Sequence, residues 1–160
     1  MRDLTGLKEL LHPEGIVDGR ILAAQTTFYE YCKLMNPKFY RDDRPYQRDL
    51  CDTLQGIFEG RLINPKTGEA YRNLMINLPP RHGKSYTLTL FVQWCMGRRN
   101  ETRVISVSYN DILAGRFARN VRDGIDADKL DSKVPIFHDV FPSTRVKHCL
   151  LYTSPSPRDT

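Results

Sequence analysis

A short apolar run that passes through a tight turn into a second, longer apolar segment constrains this chain more than any other feature. Asn73 to Leu78 (NLMINL) has the length and composition of a buried β-strand. Pro79 to Ser85 (PPRHGKS) follows directly, and Tyr86 to Met96 has the pattern of a buried helix. The sequence therefore predicts a strand, a loop and a helix in succession, with the free N–H groups of the helix start facing the loop.

A second unit of the same kind is predicted further along the chain. Val104 to Tyr109 (VISVSY) is β-branched and ends at a polar turn. Asn110-Asp111 is suited to cap a following helix whose apolar face includes Phe117 and Val121. The order strand, helix, strand, helix favours an α/β fold in which a crossover helix joins two parallel strands.

Helices and a hairpin are predicted before these units. The apolar positions of residues 18–35 fall largely on one helical face, and Asn36-Pro37 is a stop signal. A second helix opens with Pro45, which suits a first turn because its missing N–H is not needed there. Residues 64–68 (NPKTG) predict a hairpin loop whose glycine supplies the positive φ.

The tripeptide Gly83-Lys84-Ser85 carries the expected chemistry. Gly83 lets the backbone approach a phosphate closely, Lys84 is placed to reach β- and γ-phosphates, and the hydroxyl of Ser85 is suited to ligate Mg²⁺. Leu78 stands where such loops usually carry their first glycine, and two prolines stiffen the turn instead. The alternative interpretation is an exposed basic turn that caps a helix.

These residues resemble a known family. PPRHGKS after a short apolar strand is similar to the deviant Walker A motif of tailed-phage terminase large subunits, the ATPases that pump DNA into procapsids. Residues 44–47 (RPYQ), at the start of a helix, resemble the adenine-recognition element of that family. Residues 104–121 resemble the second strand and helix of its motor domain, so the likeness covers about residues 40 to 140.

The resemblance implies a fold and a domain division. The fold is an α/β P-loop NTPase core, in which crossover helices join parallel strands, with a helical N-terminal segment at residues 1–40. Residues 41–148 are expected to form a partial ATPase domain. Its sheet is expected to be incomplete, because we expect the chain to be truncated before the Walker B strand and the nuclease domain. No hydrophobic strand ending in paired acidic residues follows the predicted Walker A helix.

Residues 149–160 (CLLYTSPSPRDT) differ sharply in composition from the rest. The first eleven look like one translated frame of a transposase-type sequencing adapter. We interpret the segment as a disordered tail from adapter read-through, and a natural disordered tail is the alternative.

The resemblance also implies ATP and Mg²⁺ as cofactors and assigns roles to individual residues. Gln47 would hydrogen-bond the adenine edge and Tyr46 would pack near the base; a surface glutamine and a core tyrosine are the alternatives. Arg81 would act on the γ-phosphate and stabilise charge that develops there. With Lys84 and Arg81 as the catalytic residues and Ser85 as the Mg²⁺ ligand, the residues expected around the phosphates are Pro80, Arg81, His82, Gly83, Lys84 and Ser85. A loop histidine that plays no part is the alternative for His82.

The partners follow from the same resemblance. The intact protein would be an ATP-driven DNA translocase with a nuclease, acting in the host cytoplasm on double-stranded DNA. It would form a homo-oligomeric ring on the portal protein and bind a small terminase subunit. This chain alone is expected to bind nucleotide poorly and to hydrolyse it negligibly.

Composition agrees with these expectations without deciding them. A net charge of +5, from 24 Lys+Arg against 19 Asp+Glu, permits binding to a polyanion. The longest apolar stretch, Leu88 to Met96, is too short to span a bilayer, so no membrane association is expected. Four scattered cysteines without zinc spacing predict reduced thiols.

Three other classes stay open. A helicase of a related P-loop superfamily also uses a glutamine before its Walker A loop, but it needs an acidic box that this chain does not show. A small P-loop kinase usually keeps the first glycine and places the loop near the N-terminus. A basic DNA-binding module would use Arg98, Arg99, Arg116, Arg119 and Arg122, although such arginines are most often solvated surface.

Overall fold

Helices make up most of the chain that this computed structural model describes, which comprises residues 13–131 and 134–144. Strand pairing in these ranges is confined to one isolated bridge. In chain order the helices of these ranges are α1 (Pro13–Thr26), α2 (Phe28–Met35), α3 (Pro45–Phe58), α4 (Lys84–Arg98), α5 (Asp111–Ile125) and α6 (Phe137–Val140). None of these six is both long and apolar enough to cross a membrane.

The predicted α/β fold, a P-loop NTPase core of parallel strands joined by crossover helices, is wrong for the described residues, where no sheet forms. The segments 73–78 and 104–109 run without helix or strand pairing, and Met75, Ile105 and Val107 are 92%, 89% and 87% exposed. Apolar and β-branched residues favour an extended backbone. A strand is stable, however, only when a neighbour takes up its N–H and C=O groups. Neither segment meets such a neighbour among the described residues.

Other sequence predictions have different outcomes. The hairpin is confirmed: an antiparallel bridge joins Ile63 to Ala70, and Gly68 has a φ of 70°. The helix predicted to open with Pro45 does so. The domain boundaries after residues 40 and 148 stay a prediction, and the tail 149–160 lies outside the described residues.

Aromatic side chains from α2, α3 and α4 form the centre of the core. Phe28 packs on Phe91 and Trp94 with ring centroids 5.1 and 5.6 Å apart, and Phe58 packs on the same two rings at 6.2 and 5.7 Å. Trp94 is fully buried, and its Nε1 donates a hydrogen bond to the carbonyl of Ala24 in α1 at 2.9 Å. These rings therefore hold four helices around one apolar centre.

One amide side chain holds the corner between α1 and α2. The extended backbone of Thr27 separates the two helices. Gln55 of α3 accepts a hydrogen bond from the N–H of Phe28 at 2.9 Å and donates to the carbonyl of Thr26 at 2.9 Å. It therefore satisfies one free group from the end of one helix and one from the start of the next.

Close packing brings α4 against α5 and α6. A Cβ added at Gly97 of α4 would overlap the ring of Phe141, which follows α6. Gln93, buried in α4, donates to the carbonyl of Val121 in α5 at 3.2 Å and accepts from the hydroxyl of Tyr31 at 3.3 Å. This buried amide links α2, α4 and α5 with its polar groups satisfied.

Local polar contacts define the start of α5 and hold α6. The side chain of Asn110 accepts from the N–H of Ile112 at 2.7 Å, which confirms the predicted cap. Asp139 of α6 accepts from Lys129 Nζ at 2.8 Å and from the N–H of Ile136 at 2.9 Å. Burial acts to raise the pKa of the Asp139 carboxyl, but these two donors outweigh it and hold the pKa below its usual value.

The cysteines that the structure describes are free, buried thiols. Cys32 Sγ and Cys51 Sγ lie 3.9 Å apart between α2 and α3. Burial raises the pKa of the Cys95 thiol to about 12. Reduced thiols are what the sequence predicts for these three, and Cys149 lies outside the described residues.

Candidate functional site

The segment predicted as a phosphate loop turns tightly and leads into α4. Two of its residues have a left-handed backbone, Arg81 with a φ of 64° and Gly83 with a φ of 77°, and α4 begins at Lys84. The backbone N–H groups of residues 82–85 have no acceptor in the described part of the chain. Free amides at a helix start, next to left-handed residues, are donors of the kind that suits an anion.

The side chain of Lys84 folds back across this loop. Its Nζ donates to the carbonyl of Leu78 at 3.4 Å, six residues earlier, so the ammonium group lies over the turn rather than out in solvent. Neither Lys84 nor Arg81 forms an ion pair with an Asp or Glu of the described residues. Their positive charge is therefore available to an anionic ligand held by the loop amides.

The start of α3 lies beside the loop. The ring of Tyr46 meets the ring of His82 edge to face, with centroids 5.7 Å apart. His82 is tied to the turn itself, because its Nδ1 lies 3.0 Å from the carbonyl oxygen of Pro80. The structure thus brings together two residues that the sequence predicts at opposite ends of a bound nucleotide.

Gln47 follows Tyr46 in the first turn of α3, and it is only 2% exposed. Its Oε1 accepts from the N–H of Arg41 at 3.4 Å, whereas its Nε2 has no partner among the described residues. The alternative of an ordinary surface glutamine is therefore wrong. A buried amide with an unused donor is costly unless a ligand or water completes it.

Two further residues predicted to contact the phosphates, Arg81 and Ser85, are exposed. The side chain of Arg81 is exposed and makes no hydrogen bond or ion pair within the described chain. The hydroxyl of Ser85 is also free of partners there, although the carbonyl of Ser85 accepts from Thr89 Oγ1 at 3.0 Å. Both side chains remain available to a ligand.

Acidic residues are not gathered around the loop. The described residues contain no cluster of three or more His, Cys, Asp or Glu that could hold a metal ion. Asp126 and Asp128 lie exposed after α5. The donor set present, amides with one lysine and one hydroxyl, fits a phosphate chain that brings its own Mg²⁺, which Ser85 would contact.

Aromatic residues behind the loop were not identified from the sequence. Phe39 and Tyr40 follow the end of α2, and Tyr86 lies in the first turn of α4; we call these three rings the aromatic bracket. A Cβ added at Gly83 would overlap the ring of Phe39. The available signal was the pair Phe39-Tyr40, one residue after the Asn36-Pro37 helix stop, but nothing local connects that pair to a loop about forty residues later.

Comparison of this chain with protein-family models, curated proteins and solved structures finds no match. The candidate site therefore stands on its own geometry and on the resemblance of its motifs.

Proposed function

We propose that the loop at residues 79–85 binds the phosphates of Mg²⁺-ATP, and that this chain is the ATP-binding part of a tailed-phage terminase large subunit. The observation that carries the proposal is the position of Lys84, whose ammonium lies over a turn of free amides at the start of α4. A helix start with unused N–H groups and an overlying cation is suited to a phosphate group. The motif resemblance selects ATP and the terminase family.

The residues of the loop would divide the work between them. The amides of residues 82–85 would surround a phosphate, and Lys84 would release the carbonyl of Leu78 to contact the β- and γ-phosphates. Arg81, which is exposed and has no ion-pair partner among the described residues, would turn toward the γ-phosphate. Mg²⁺, when bound with the nucleotide, neutralises phosphate charge and is held in part by the hydroxyl of Ser85.

The start of α3 would receive the base. The Nε2 of Gln47, which is buried and has no partner among the described residues, would donate to a ring nitrogen of adenine once the side chain turns outward, and Tyr46 offers an aromatic surface beside the loop. Binding would then complete the hydrogen bonding of a buried group that is otherwise unsatisfied. This pairing of a phosphate loop with a base-recognising helix start supports a nucleoside triphosphate over inorganic phosphate alone.

The wider role belongs to the same proposal. The protein would be an ATP-driven DNA translocase of the host cytoplasm, acting on double-stranded DNA with a small terminase subunit and a portal ring. The 160-residue chain would bind ATP weakly and hydrolyse it negligibly, because hydrolysis needs carboxylates that hold Mg²⁺ and activate water, and the described residues contain no group of three or more His, Cys, Asp or Glu that could hold a metal ion.

Titration calorimetry with Mg²⁺-ATP tests this proposal. Lys84→Ala is expected to weaken binding at least about tenfold, equivalent to about 1.4 kcal/mol, because one charge-assisted contact to phosphate is lost. Lys66→Ala, which removes the same charge from the exposed hairpin loop, is the matched control and should bind as the unaltered chain does. Equal affinities of the Lys84→Ala variant and the unaltered chain would contradict the proposal.

A further inference from the structure

The aromatic bracket holds the back of the candidate phosphate loop. The ring of Phe39 occupies the space that any side chain at Gly83 would need. On its other sides this ring meets Tyr40 and Tyr86 nearly at right angles, with centroids 5.0 and 5.8 Å away. The backbone of Gly83 is therefore packed against an aromatic surface instead of being open to solvent.

The backbone of Phe39 is itself held by polar contacts. Its N–H donates to the side-chain oxygen of Asn36 at 3.1 Å, and its carbonyl accepts from Arg44 Nη1 at 3.3 Å. The guanidinium of Arg44 also lies 5.7 Å from the centroid of the Phe39 ring. Phe39 is thus held from both directions along the chain between α2 and α3.

The bracket is joined to the first turn of α4 as well. The hydroxyl of Tyr40 and Oγ1 of Thr87 are 2.8 Å apart, and both residues are buried. Asn36 donates to the hydroxyl of Tyr86 at 3.3 Å. These bonds keep the rings in register with the helix start, so loop, bracket and α4 form one packed unit.

From these contacts we infer that Phe39 is a positioning residue for the phosphate loop, a role that rests on the proposed function. A glycine with a φ of 77° is free to leave that conformation, because it lacks the steric limits of other residues. The ring of Phe39 removes this freedom by filling the space behind Gly83. The amides then face the phosphate before it arrives, and the entropy lost on binding is smaller.

The inference separates phosphate binding from base binding. The ring of Phe39 packs against Gly83, and its contact with the start of α3 is to Arg44 and not to Gln47 or Tyr46, so its loss should weaken the binding of ATP and of inorganic tripolyphosphate by the same factor. Loss of the Gln47 amide should weaken the binding of ATP and leave the binding of tripolyphosphate unchanged. This split distinguishes a loop-positioning residue from a contributor to the base site.

The test compares Phe39→Leu with Phe58→Leu. Both phenylalanines are partly buried and packed against the same core, but Phe58 lies at the far end of α3, against Phe91 and Trp94. Two quantities are measured: affinity for tripolyphosphate by calorimetry, and the NMR order parameter of the Gly83 amide without ligand. Phe39→Leu should weaken tripolyphosphate about fivefold to tenfold and lower the Gly83 order parameter from about 0.85 to below about 0.6. Phe58→Leu should change neither.

The outcomes separate the inference from the function on which it rests. If the unaltered chain binds tripolyphosphate but Phe39→Leu matches Phe58→Leu in both measurements, the role of Phe39 is refuted and the proposed function survives. If the unaltered chain shows no binding that depends on Lys84, both fail. Should Phe39→Leu not fold, Phe39→Met keeps the apolar volume without the flat ring, and the same two measurements decide.

Discussion

The aromatic centre and the two unpaired segments, residues 73–78 and 104–109, are both rich in apolar residues, yet most of their side chains differ sharply in burial. Phe28 and Trp94 are fully buried between helices, whereas Met75, Ile105 and Val107 lie almost fully in solvent. The centre brings its packing surfaces together from helices that each close their own backbone hydrogen bonds. The unpaired segments would need a neighbouring strand to complete their backbone hydrogen bonds. Apolar sequence is thus buried in this molecule where the backbone is already satisfied.

The largest expected effect breaks the centre. Trp94→Ala should lower the free energy of unfolding by about 3–5 kcal/mol, because it leaves a large cavity between α2, α3 and α4 and an unpaired carbonyl at Ala24. Met75→Ala, in the unpaired segment 73–78, should change the free energy of unfolding by less than about 0.5 kcal/mol. Urea unfolding is followed by far-UV circular dichroism. Tryptophan fluorescence does not serve here, because Trp94 is the one tryptophan of the sequence and the variant removes it. Similar losses in both variants would remove the contrast.

Two helical glycines sharpen the comparison. Alanine favours a helix over glycine by about 1 kcal/mol, so Gly115→Ala, where nothing lies within 4 Å of the new Cβ, should stabilise the protein by about 0.5–1 kcal/mol. Gly97→Ala introduces the same Cβ into the ring of Phe141 and should destabilise by about 1–3 kcal/mol. Thermal unfolding measures both. Stabilisation by Gly97→Ala would show that α6 is not packed on α4 as described.

A smaller effect concerns the ion pair that holds α6. Asp139→Asn should cost less than about 1 kcal/mol, as expected for a partly exposed pair with Lys129. Because the pKa of Asp139 is lowered in the folded state, its contribution is present above the usual carboxyl value of 3.8 and is lost as the pH falls through the lowered pKa. Unfolding curves at pH 7 and pH 2 check the sign. A stability difference that persists at pH 2 would exclude the carboxylate as its cause.

The smallest expected effect on stability is that of substitutions in the unpaired segment 104–109. Replacing Ile105 and Val107 together by serine should change the free energy of unfolding by less than about 0.5 kcal/mol, because both side chains are exposed. Leu90→Ser in α4, where the side chain is buried, should instead cost more than about 2 kcal/mol. If the double variant were as unstable as Leu90→Ser, residues 104–109 would be a buried strand after all.

Local chemistry made part of this structure predictable from the sequence. Pro45 opens α3, Asn110 caps α5, and Gly83 supplies the left-handed residue before α4, each through contacts within a few positions along the chain. The curved loop at residues 79–85 could be predicted for the same reason.

Contacts between distant segments could not be predicted in this way. Whether residues 73–78 and 104–109 pair depends on neighbours about thirty positions away, and composition does not encode that choice. The burial of Gln47 and the packing of Phe39 behind Gly83 likewise arise from α2, α3 and α4 meeting in space. The candidate site was therefore located from its motif, whereas its supporting residues required the structure.

The hydrogen bonds of Gln55 show what holds the bend between α1 and α2. Since this one amide serves the carbonyl of Thr26 and the N–H of Phe28, the bend between α1 and α2 depends on a residue nearly thirty positions later. A synthetic peptide of residues 13–35 has no such partner and should not keep the bend, whatever its helical content. The relative orientation of α1 and α2 is thus set by α3. A deletion between residues 36 and 55 would therefore change the angle between α1 and α2 as well as the loop that is shortened.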